Sequence, residues 1–179
     1  MRRSREETAQ TRRSAIEAAA QLFRERGIDS VSVGDVMASV DMTAGGFYRH
    51  FENKEALAAE ACAAAFEESG LAHARSPEAM LRVYLSKAHR DAPAAGCPLP
   101  ALVSDMARQP AAVRGAYTEG VRDALARIGE IAPGADSTTQ LALLAGMVGA
   151  VALARAIGDE ELSAKMLRET RRFWMEALS

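Results

Sequence analysis

The stretch from Val33 to Lys54, VGDVMASVDMTAGGFYRHFENK, constrains the chain most, because its pattern is typical of a helix-turn-helix. It predicts a short helix over residues 33–39, a turn over 40–42, and a second short helix from Thr43 to about Arg49. Helices of one or two turns are unstable alone in water, since nucleation fixes several dihedral angles before any hydrogen bond is gained. The pair must therefore pack against a neighbour, and the preceding helix is the candidate.

That preceding segment, residues 6–26, carries one apolar face at helical spacing. The face consists of Ile16, Ala19, Ala20 and Phe23, widened by Leu22. Gly27 is predicted to end this helix. Ser32, with Asp35 three residues later, matches a capping box that starts the next helix. The two helices can then bury their apolar faces against each other.

The second short helix has unusual composition for a helix. Thr43 is a good N-cap, and a helix start of this kind attracts phosphate. Gly45 and Gly46 follow inside the helix, where each costs about 1 kcal/mol relative to alanine. Either bare backbone lets this helix approach a partner closely, as entry into a DNA major groove requires, or the helix is held by its neighbours and merely tolerates glycine.

Phe47 and Phe51 are four residues apart and are predicted to face the small core. Tyr48, Arg49 and His50 are then left to face elsewhere.

Composition predicts an all-α protein. The 179 residues are 49% hydrophobic and 26% charged with only 6 prolines, and no alternating strand pattern occurs. The net charge of −2 and the pI near 6.0 neither favour nor exclude nucleic acid. A basic segment stands at the N-terminus, where five arginines against two glutamates leave +3 over thirteen residues: Arg2, Arg3, Arg5, Arg12 and Arg13 against Glu6 and Glu7.

The sequence also predicts a cytoplasmic protein with no membrane partner. The basic start is not followed by the apolar segment of a signal peptide. The longest apolar run, residues 141–154, contains two glycines and is shorter than a bilayer requires, so it is interpreted as a buried helix. Cys62 and Cys97 make no disulfide framework, which fits a reducing compartment.

Beyond Lys54 the chain is predicted to form further helices. Ser76-Pro77-Glu78 is a strong helix start, and its apolar face is predicted to continue to Ala88. The segment DAPAAGCPLP (residues 91–100) is predicted to be an irregular loop. A capping box at Ser137 and Gln140 is predicted to open a single helix reaching residue 158. This helix and the last one are predicted to pair with their copies in a second subunit as a four-helix bundle.

The N-terminal third resembles the DNA-binding head of TetR/AcrR-family transcriptional regulators. The resemblance lies in the order and spacing of Thr11-Arg12, Ile16, Ala19-Ala20, Leu22-Phe23, Glu25, Gly27, Val36, Gly45, Phe47-Tyr48, His50-Phe51, Lys54 and Leu57. It implies an all-α homodimer of about nine helices per chain. Residues 1–53 would be a three-helix DNA-binding head, and residues 54–179 a helical body for effector binding and dimerisation.

The resemblance also implies which residues meet DNA. Phosphate contacts would come from Thr43, Tyr48, His50 and Lys54. The full set of predicted DNA-contacting residues is Arg12, Ser32, Thr43, Ala44, Gly45, Gly46, Tyr48, Arg49, His50 and Lys54. Since alanine and two glycines offer few groups for reading base edges, shape and the basic N-terminal arm would supply much of the specificity. The chain departs from the family at Asp41-Met42, where Gly-Val is usual, and at Met37, where alanine is usual.

An effector in the body would need an apolar pocket with few polar groups. The candidate pocket residues are Met80, Tyr84, Cys97, Met106, Tyr117 and Met147, although each also suits a plain core. Cys97, just before a predicted helix start, could instead be a reactive thiol of a redox or electrophile sensor. A helical protein-interaction module without specific DNA binding is a further alternative. Enzymatic function is not predicted, because no metal-ligand spacing, P-loop, nucleophile elbow or cofactor motif occurs.

Overall fold

The computed structural model describes residues 5–178, and within them the chain is entirely helical. The elements are α1 (Arg5–Arg26), α2 (Val33–Ala38), a 3-10 helix (Ala44–Arg49), α3 (Lys54–Glu67), α4 (Pro77–Tyr84), α5 (Lys87–Asp91), a second 3-10 helix (Pro93–Ala95), α6 (Pro98–Met106), α7 (Ala111–Ile131), α8 (Ser137–Ala156) and α9 (Glu160–Ala177). The all-α prediction is confirmed. Arg2 and Arg3 of the basic N-terminal segment lie outside the described residues.

The N-terminal head follows the sequence pattern closely. α1 ends at Gly27, whose φ of 83° requires a residue without a side chain. In the capping box, the Ser32 hydroxyl accepts from the Asp35 amide at 3.1 Å and the Ser32 amide donates to the Asp35 carboxylate at 2.7 Å. Hydrogen bonds from Ser32 hold the pKa of Asp35 below its usual value. Asp41, at φ 56°, adopts the left-handed conformation that the turn needs.

The small helices are held by one buried cluster, as their instability alone demands. Phe23 of α1, Met37 of α2 and Phe47 of the first 3-10 helix are each at most 2% exposed. Phe47 also stacks on Phe51, with ring centroids 5.3 Å apart. Both phenylalanines therefore face the core, as their spacing predicted.

α3 lies between the head and the body, packed on α1 along one side and on α7 along another. Its buried residues include Ala58, Ala61, Cys62 and Ala65, which are small enough for neighbouring helices to approach closely. Leu57 and Phe66 are the large exceptions, and the Phe66 ring lies directly over Gly120 of α7. The contact between α3 and α7 thus depends on the absence of a side chain at residue 120.

The body departs from the sequence prediction at three helix boundaries. Leu85 (φ −92°, ψ 48°) breaks the helix predicted to reach Ala88, and Ser86 caps a new one. The predicted loop over 91–100 is largely helical, since α6 begins at Pro98. The capping box predicted at Ser137 is wrong, because Asp136 accepts the amide of Thr139 at 2.8 Å and caps α8. The Gln140 side chain instead donates to the Ala135 carbonyl at 2.8 Å.

α8 and α9 pack against each other and leave apolar side chains exposed. Leu141, Leu153, Leu162 and Phe173 are between 48% and 61% exposed. With 20 residues, α8 is long and apolar enough to cross a bilayer. The core helices of soluble proteins can be equally long and apolar. Here α8 packs against α6, α7 and α9, and 33% of its most apolar window is buried.

Substituting Gly120→Ala should destabilise the fold by about 1–3 kcal/mol, because the added methyl would overlap the Phe66 ring. Gly115→Ala is the matched control on α7, since nothing lies within 4 Å of its added methyl. The control should gain up to about 1 kcal/mol from helix propensity. Urea unfolding of the two variants measures the difference, and equal effects would contradict the close contact between α3 and α7.

Candidate nucleic-acid interface and effector cavity

The first 3-10 helix presents its outer side to solvent. Thr43, Ala44, Gly45 and Arg49 are exposed, and Tyr48 is 73% exposed. Thr43 stands at the predicted N-cap position, but its side chain makes no capping hydrogen bond and the helix that follows is 3-10 rather than α. Since the two glycines favour no regular helix strongly, this tighter and weaker form fits their low helix propensity.

The two glycines have different surroundings. A methyl group added at Gly45 would meet nothing within 4 Å. At Gly46 it would lie 3.3 Å from the terminal methyl of Met42 and 3.8 Å from that of Met37. Gly45 therefore has no packing partner to explain it, and it leaves a strip of backbone accessible from outside.

Two predicted DNA-contacting residues have partners inside the protein. Arg12 donates to the Glu60 carboxylate at 2.6 Å and to the His50 carbonyl at 3.3 Å, and its guanidinium lies 4.8 Å from the centre of the Phe51 ring. Arg12 thus joins α1 to the end of the 3-10 helix and to α3. Ser32 is engaged in its capping box, with its hydroxyl donating to Asp35 at 2.6 Å.

The last predicted contacts flank the end of the 3-10 helix. His50 is the residue after it and is partly buried. Lys54 is the first residue of α3, whose start is capped by the Asn53 side chain accepting from the Ala56 amide at 2.8 Å. Tyr48, Arg49 and Lys54 therefore lie within one short segment of surface.

A cleft of about 270 Å³ opens in the body. Its lining comes from the segment before α4, from α4 and α5, and from the turn before α6: Gly70, Leu71, Met80, Val83, Tyr84, Ser86, Ala88, His89, Ala92, Ala95, Gly96 and Cys97. Leu71, Met80, Tyr84, Gly96 and Cys97 form a buried floor, whereas Val83 and Ala88 are exposed at the rim. The cleft is thus a pocket with an apolar floor and an open mouth.

Three of the six candidate pocket residues line this cleft, namely Met80, Tyr84 and Cys97. Met106, Tyr117 and Met147 do not line it. Tyr117 packs edge-on against Phe66 and donates to the Leu99 carbonyl at 3.0 Å, and Met147 is fully buried in the core. The spacing of apolar residues could not separate these two groups, because core residues and pocket residues lie on the same apolar faces of their helices.

His89 is a pocket residue that the sequence analysis did not single out. Its Nδ1 lies 2.7 Å from the Tyr84 carbonyl and its Nε2 accepts from the Cys97 amide at 3.0 Å. Nδ1 must therefore carry the proton, so the ring is neutral. Burial, and secondarily the charge of Arg155, lowers the pKa of His89. A methyl group at Gly96 would lie 2.8 Å from this ring, so glycine is required there.

The surroundings of Cys97 do not favour a reactive thiol. Cys97 is the residue before α6, as the sequence predicted, but it is 3% exposed. Burial raises the pKa of its thiol, although a backbone hydrogen bond and nearby arginines oppose the change. The expectation of a lowered thiol pKa is therefore wrong, because desolvation outweighs the helix start.

α6 connects the cleft to the head. Its N-terminal end follows Cys97 in the floor of the cleft. Near its C-terminal end, Asp105 accepts from the Ile28 amide at 3.1 Å. Just beyond, Gln109 donates to the Asp29 carboxylate at 2.9 Å. One short helix thus touches both the cleft and the segment between α1 and α2.

Among residues 5–178, no group of three or more histidine, cysteine, aspartate or glutamate side chains is placed to hold a metal ion. The two regions with distinctive surface chemistry are the exposed face of the head and the cleft. The head, with α2 and the first 3-10 helix packed on α1, has the geometry of a helix-turn-helix.

Comparison with known proteins agrees with this class. Residues 15–61 match the family described as "Bacterial regulatory proteins, tetR family". The HTH-type transcriptional repressor BepR of Brucella suis biovar 1 (strain 1330) is 39% identical over 54 residues, which is 30% of this chain and 26% of that protein. The curated relatives are thus matched over about a quarter of their length.

Solved structures extend the likeness to the body. A TetR transcriptional regulator from Chloroflexus aurantiacus J-10-FL has a TM-score of 0.67 and 27% identity, covering 94% of both chains. The reduced form of E. coli NemR has a TM-score of 0.75 at 16% identity, covering 92% of this chain and 95% of that one. Residues 15–61 thus match the tetR family of bacterial regulatory proteins, and the whole chain has the fold of a TetR transcriptional regulator.

Acidification should destabilise the protein in part through His89. Its folded-state pKa is lowered, so its stabilising effect is complete above the unfolded pKa of about 6.5 and is lost as the pH falls below that value. The free energy of unfolding, measured by urea titration between pH 7.5 and 5.5, should fall less in His89→Gln than in the wild type. His73→Gln, at an exposed histidine, is the control and should follow the wild type.

Proposed function

We propose that the protein is a ligand-responsive transcriptional repressor. It binds a near-palindromic double-stranded DNA operator as a homodimer and leaves it when a small molecule occupies the cleft. The observation that carries this proposal is the connection of the exposed helix-turn-helix to a pocket through α6. The match of residues 15–61 to a family of bacterial regulatory proteins supports it, as does the likeness of the same segment to the transcriptional repressor BepR.

The head supplies positioning contacts and little base reading. Tyr48 and Lys54, with Thr43, can reach phosphates, which set register and orientation without selecting sequence. Gly45 offers bare backbone, and Arg49 is the long side chain beside it. Arg12 and Ser32 act indirectly in this proposal, since Arg12 fixes the end of the 3-10 helix and Ser32 fixes the start of α2.

The exposed apolar face of α8 and α9 is the proposed dimer interface. Leu153 and Phe173, more than half exposed, would be costly in a monomer and would be covered in a four-helix bundle with a second copy. A methyl added at Gly149 of α8 would meet nothing within 4 Å, which leaves room for a partner helix. A dimer places two heads on one DNA duplex, as a near-palindrome requires.

α6 is the proposed route from pocket to DNA. A ligand pressing on Cys97 would shift the start of α6, and its far end holds Ile28 and Asp29 through Asp105 and Gln109. Those two residues lie between α1 and α2, so their displacement would change the spacing of the two heads. Repression is a simpler mode of regulation than activation, because a protein bound to a promoter blocks polymerase without further contacts.

The alternatives have less support. A thiol sensor would need an accessible Cys97 thiolate, and burial opposes both access and ionisation. A protein-interaction module without specific DNA binding would not explain the exposed backbone at Gly45. The relatives are named as transcriptional regulators rather than enzymes. A cytoplasmic location follows from this proposed function.

Lys54→Ala should weaken binding to operator DNA several-fold at all sequences and reduce the slope of log affinity against log salt by about 1, because one phosphate contact is lost. Fluorescence anisotropy with labelled DNA from the region flanking the gene measures this. Lys87→Ala, the same charge change in the body, is the control. Wild-type binding that ignores DNA sequence would contradict the repressor and favour the interaction module.

Leu153→Glu should convert the dimer to a monomer, because it buries a charge in the proposed bundle. Analytical ultracentrifugation at micromolar concentration should give about twice 19.1 kDa for the wild type and 19.1 kDa for the variant. Val103→Glu, at a valine of α6 that is 46% exposed, should remain dimeric. A wild-type chain that sediments at 19.1 kDa would contradict the proposed four-helix bundle.

A further inference from the structure

Arg155 of α8 is a half-buried cation held in one orientation. Its Nε donates to the Arg90 carbonyl at 3.0 Å, and its Nη2 donates to the His89 carbonyl at 2.8 Å. The third nitrogen, Nη1, is buried and has no hydrogen-bond partner among residues 5–178. Both partners are neutral carbonyls, so they orient the guanidinium without cancelling its charge.

The charge of Arg155 acts on the floor of the cleft. It influences the ionisation of Tyr84, His89 and Cys97, all of which line the cleft. Burial lowers the pKa of Arg155, and the groups that act in the opposite direction are Tyr84 and Cys97 rather than a carboxylate. Because Arg155 also donates to the carbonyl of His89, which lines the cleft, a half-buried positive charge lies directly behind the apolar floor, an arrangement that favours an anion.

Tyr84 supplies a second donor at the same place. Its side chain is 4% exposed, and its hydroxyl lies beside the Cys97 thiol, a weak acceptor, and has no oxygen or nitrogen partner within the described part of the chain. Burial, and then the neighbouring Cys97, raises the pKa of this hydroxyl, so it keeps its proton and can donate. A buried donor without a good acceptor destabilises the free protein, and a ligand that supplies the acceptor removes this penalty.

The remainder of the cleft limits the size and polarity of the ligand. An apolar cavity of about 150 Å³ holds a benzene molecule, so about 270 Å³ holds a compound of one to two rings. No aspartate or glutamate is among the lining residues, which disfavours a cation. Both ring nitrogens of His89 are already engaged, so His89 offers an edge or face of its ring rather than a hydrogen bond.

We propose that the effector is a small monocarboxylate with an aromatic or similarly apolar body. Its carboxylate accepts the Tyr84 hydroxyl at the floor, in the field of Arg155, and its apolar body lies against Leu71, Met80 and Val83. This inference rests on the proposed function, because it assigns the chemical class of the molecule that releases the repressor. A phosphate group would need more donors than Tyr84 and Arg155 provide.

Isothermal titration calorimetry of the full-length chain tests the proposal with benzoate, 3-phenylpropanoate and 1-naphthoate, each paired with its neutral primary amide. At least one carboxylate should bind at least tenfold more tightly than its amide. Tyr84→Phe should weaken that carboxylate about tenfold and leave the amide unchanged, because it removes the donor without opening a cavity. Without ligand, the melting temperature of this variant should be unchanged or higher, because a buried hydroxyl without a good acceptor is removed.

Arg155→Gln removes the positive charge while keeping a long polar side chain, and Arg155→Lys keeps the positive charge. The glutamine variant should lose carboxylate binding about tenfold, and the lysine variant should recover part of it. Equal or tighter binding of the amides, or carboxylate affinity unchanged in Tyr84→Phe, would overturn the proposal. Failure of all three carboxylates to bind would also overturn it.

Operator binding, measured in parallel without ligand, keeps the two proposals distinct. Sequence-specific DNA binding with no carboxylate response would reject the ligand class and retain the repressor. Carboxylate binding that does not release the operator would reject the inferred effector role. Absence of specific DNA binding would reject the proposed function itself.

Discussion

The rest of the structure depends on the close packing of α3 between α1 and α7. Small residues on α3 let both neighbours approach, and Phe66 occupies the space that Gly120 leaves open. Because the head packs on one side of this helix and the body on the other, the head has a fixed support. Arg12 strengthens the same support by joining α1, the end of the 3-10 helix and Glu60 of α3.

The polar groups in and behind the cleft differ in how well they are hydrogen-bonded. Both ring nitrogens of His89 are hydrogen-bonded to the backbone, which fixes the turn that carries Cys97. Arg155, behind the floor, donates to two backbone carbonyls and has one nitrogen without a partner among the described residues, and Tyr84 has only the weak acceptor Cys97 beside its hydroxyl. Buried polar groups are normally well paired, so these two donors indicate where an external acceptor would bind.

The helix-turn-helix and the helical class were predictable from local chemistry, and the polar arrangement of the cleft was not. Ser32, Gly27 and Phe47 act through neighbours a few residues away, and their spacing reveals them. Arg155 acts through carbonyls 65 and 66 residues away in the chain, so no local pattern marks it. His89 acts through the Tyr84 carbonyl and the Cys97 amide, which come together only because the chain turns between α4 and α6. Spacing also cannot distinguish Tyr84 at the pocket from Tyr117 in the core. The thiol-sensor alternative for Cys97 arose because the sequence shows the helix start but not the burial of the thiol.

The 3-10 form of Ala44–Arg49 gives this element a shape that follows from its geometry. Side chains three residues apart eclipse in a 3-10 helix, so Tyr48 stands in line with Gly45 and Arg49 in line with Gly46. The row of Gly45 and Tyr48 therefore begins with exposed backbone and ends with a long side chain, whereas Gly46 faces Met42 and Phe47 is buried. The outer side of this 3-10 helix is therefore thin at its first turn and thick at its second. A surface that fits against it must leave more room beside Tyr48 than beside Gly45.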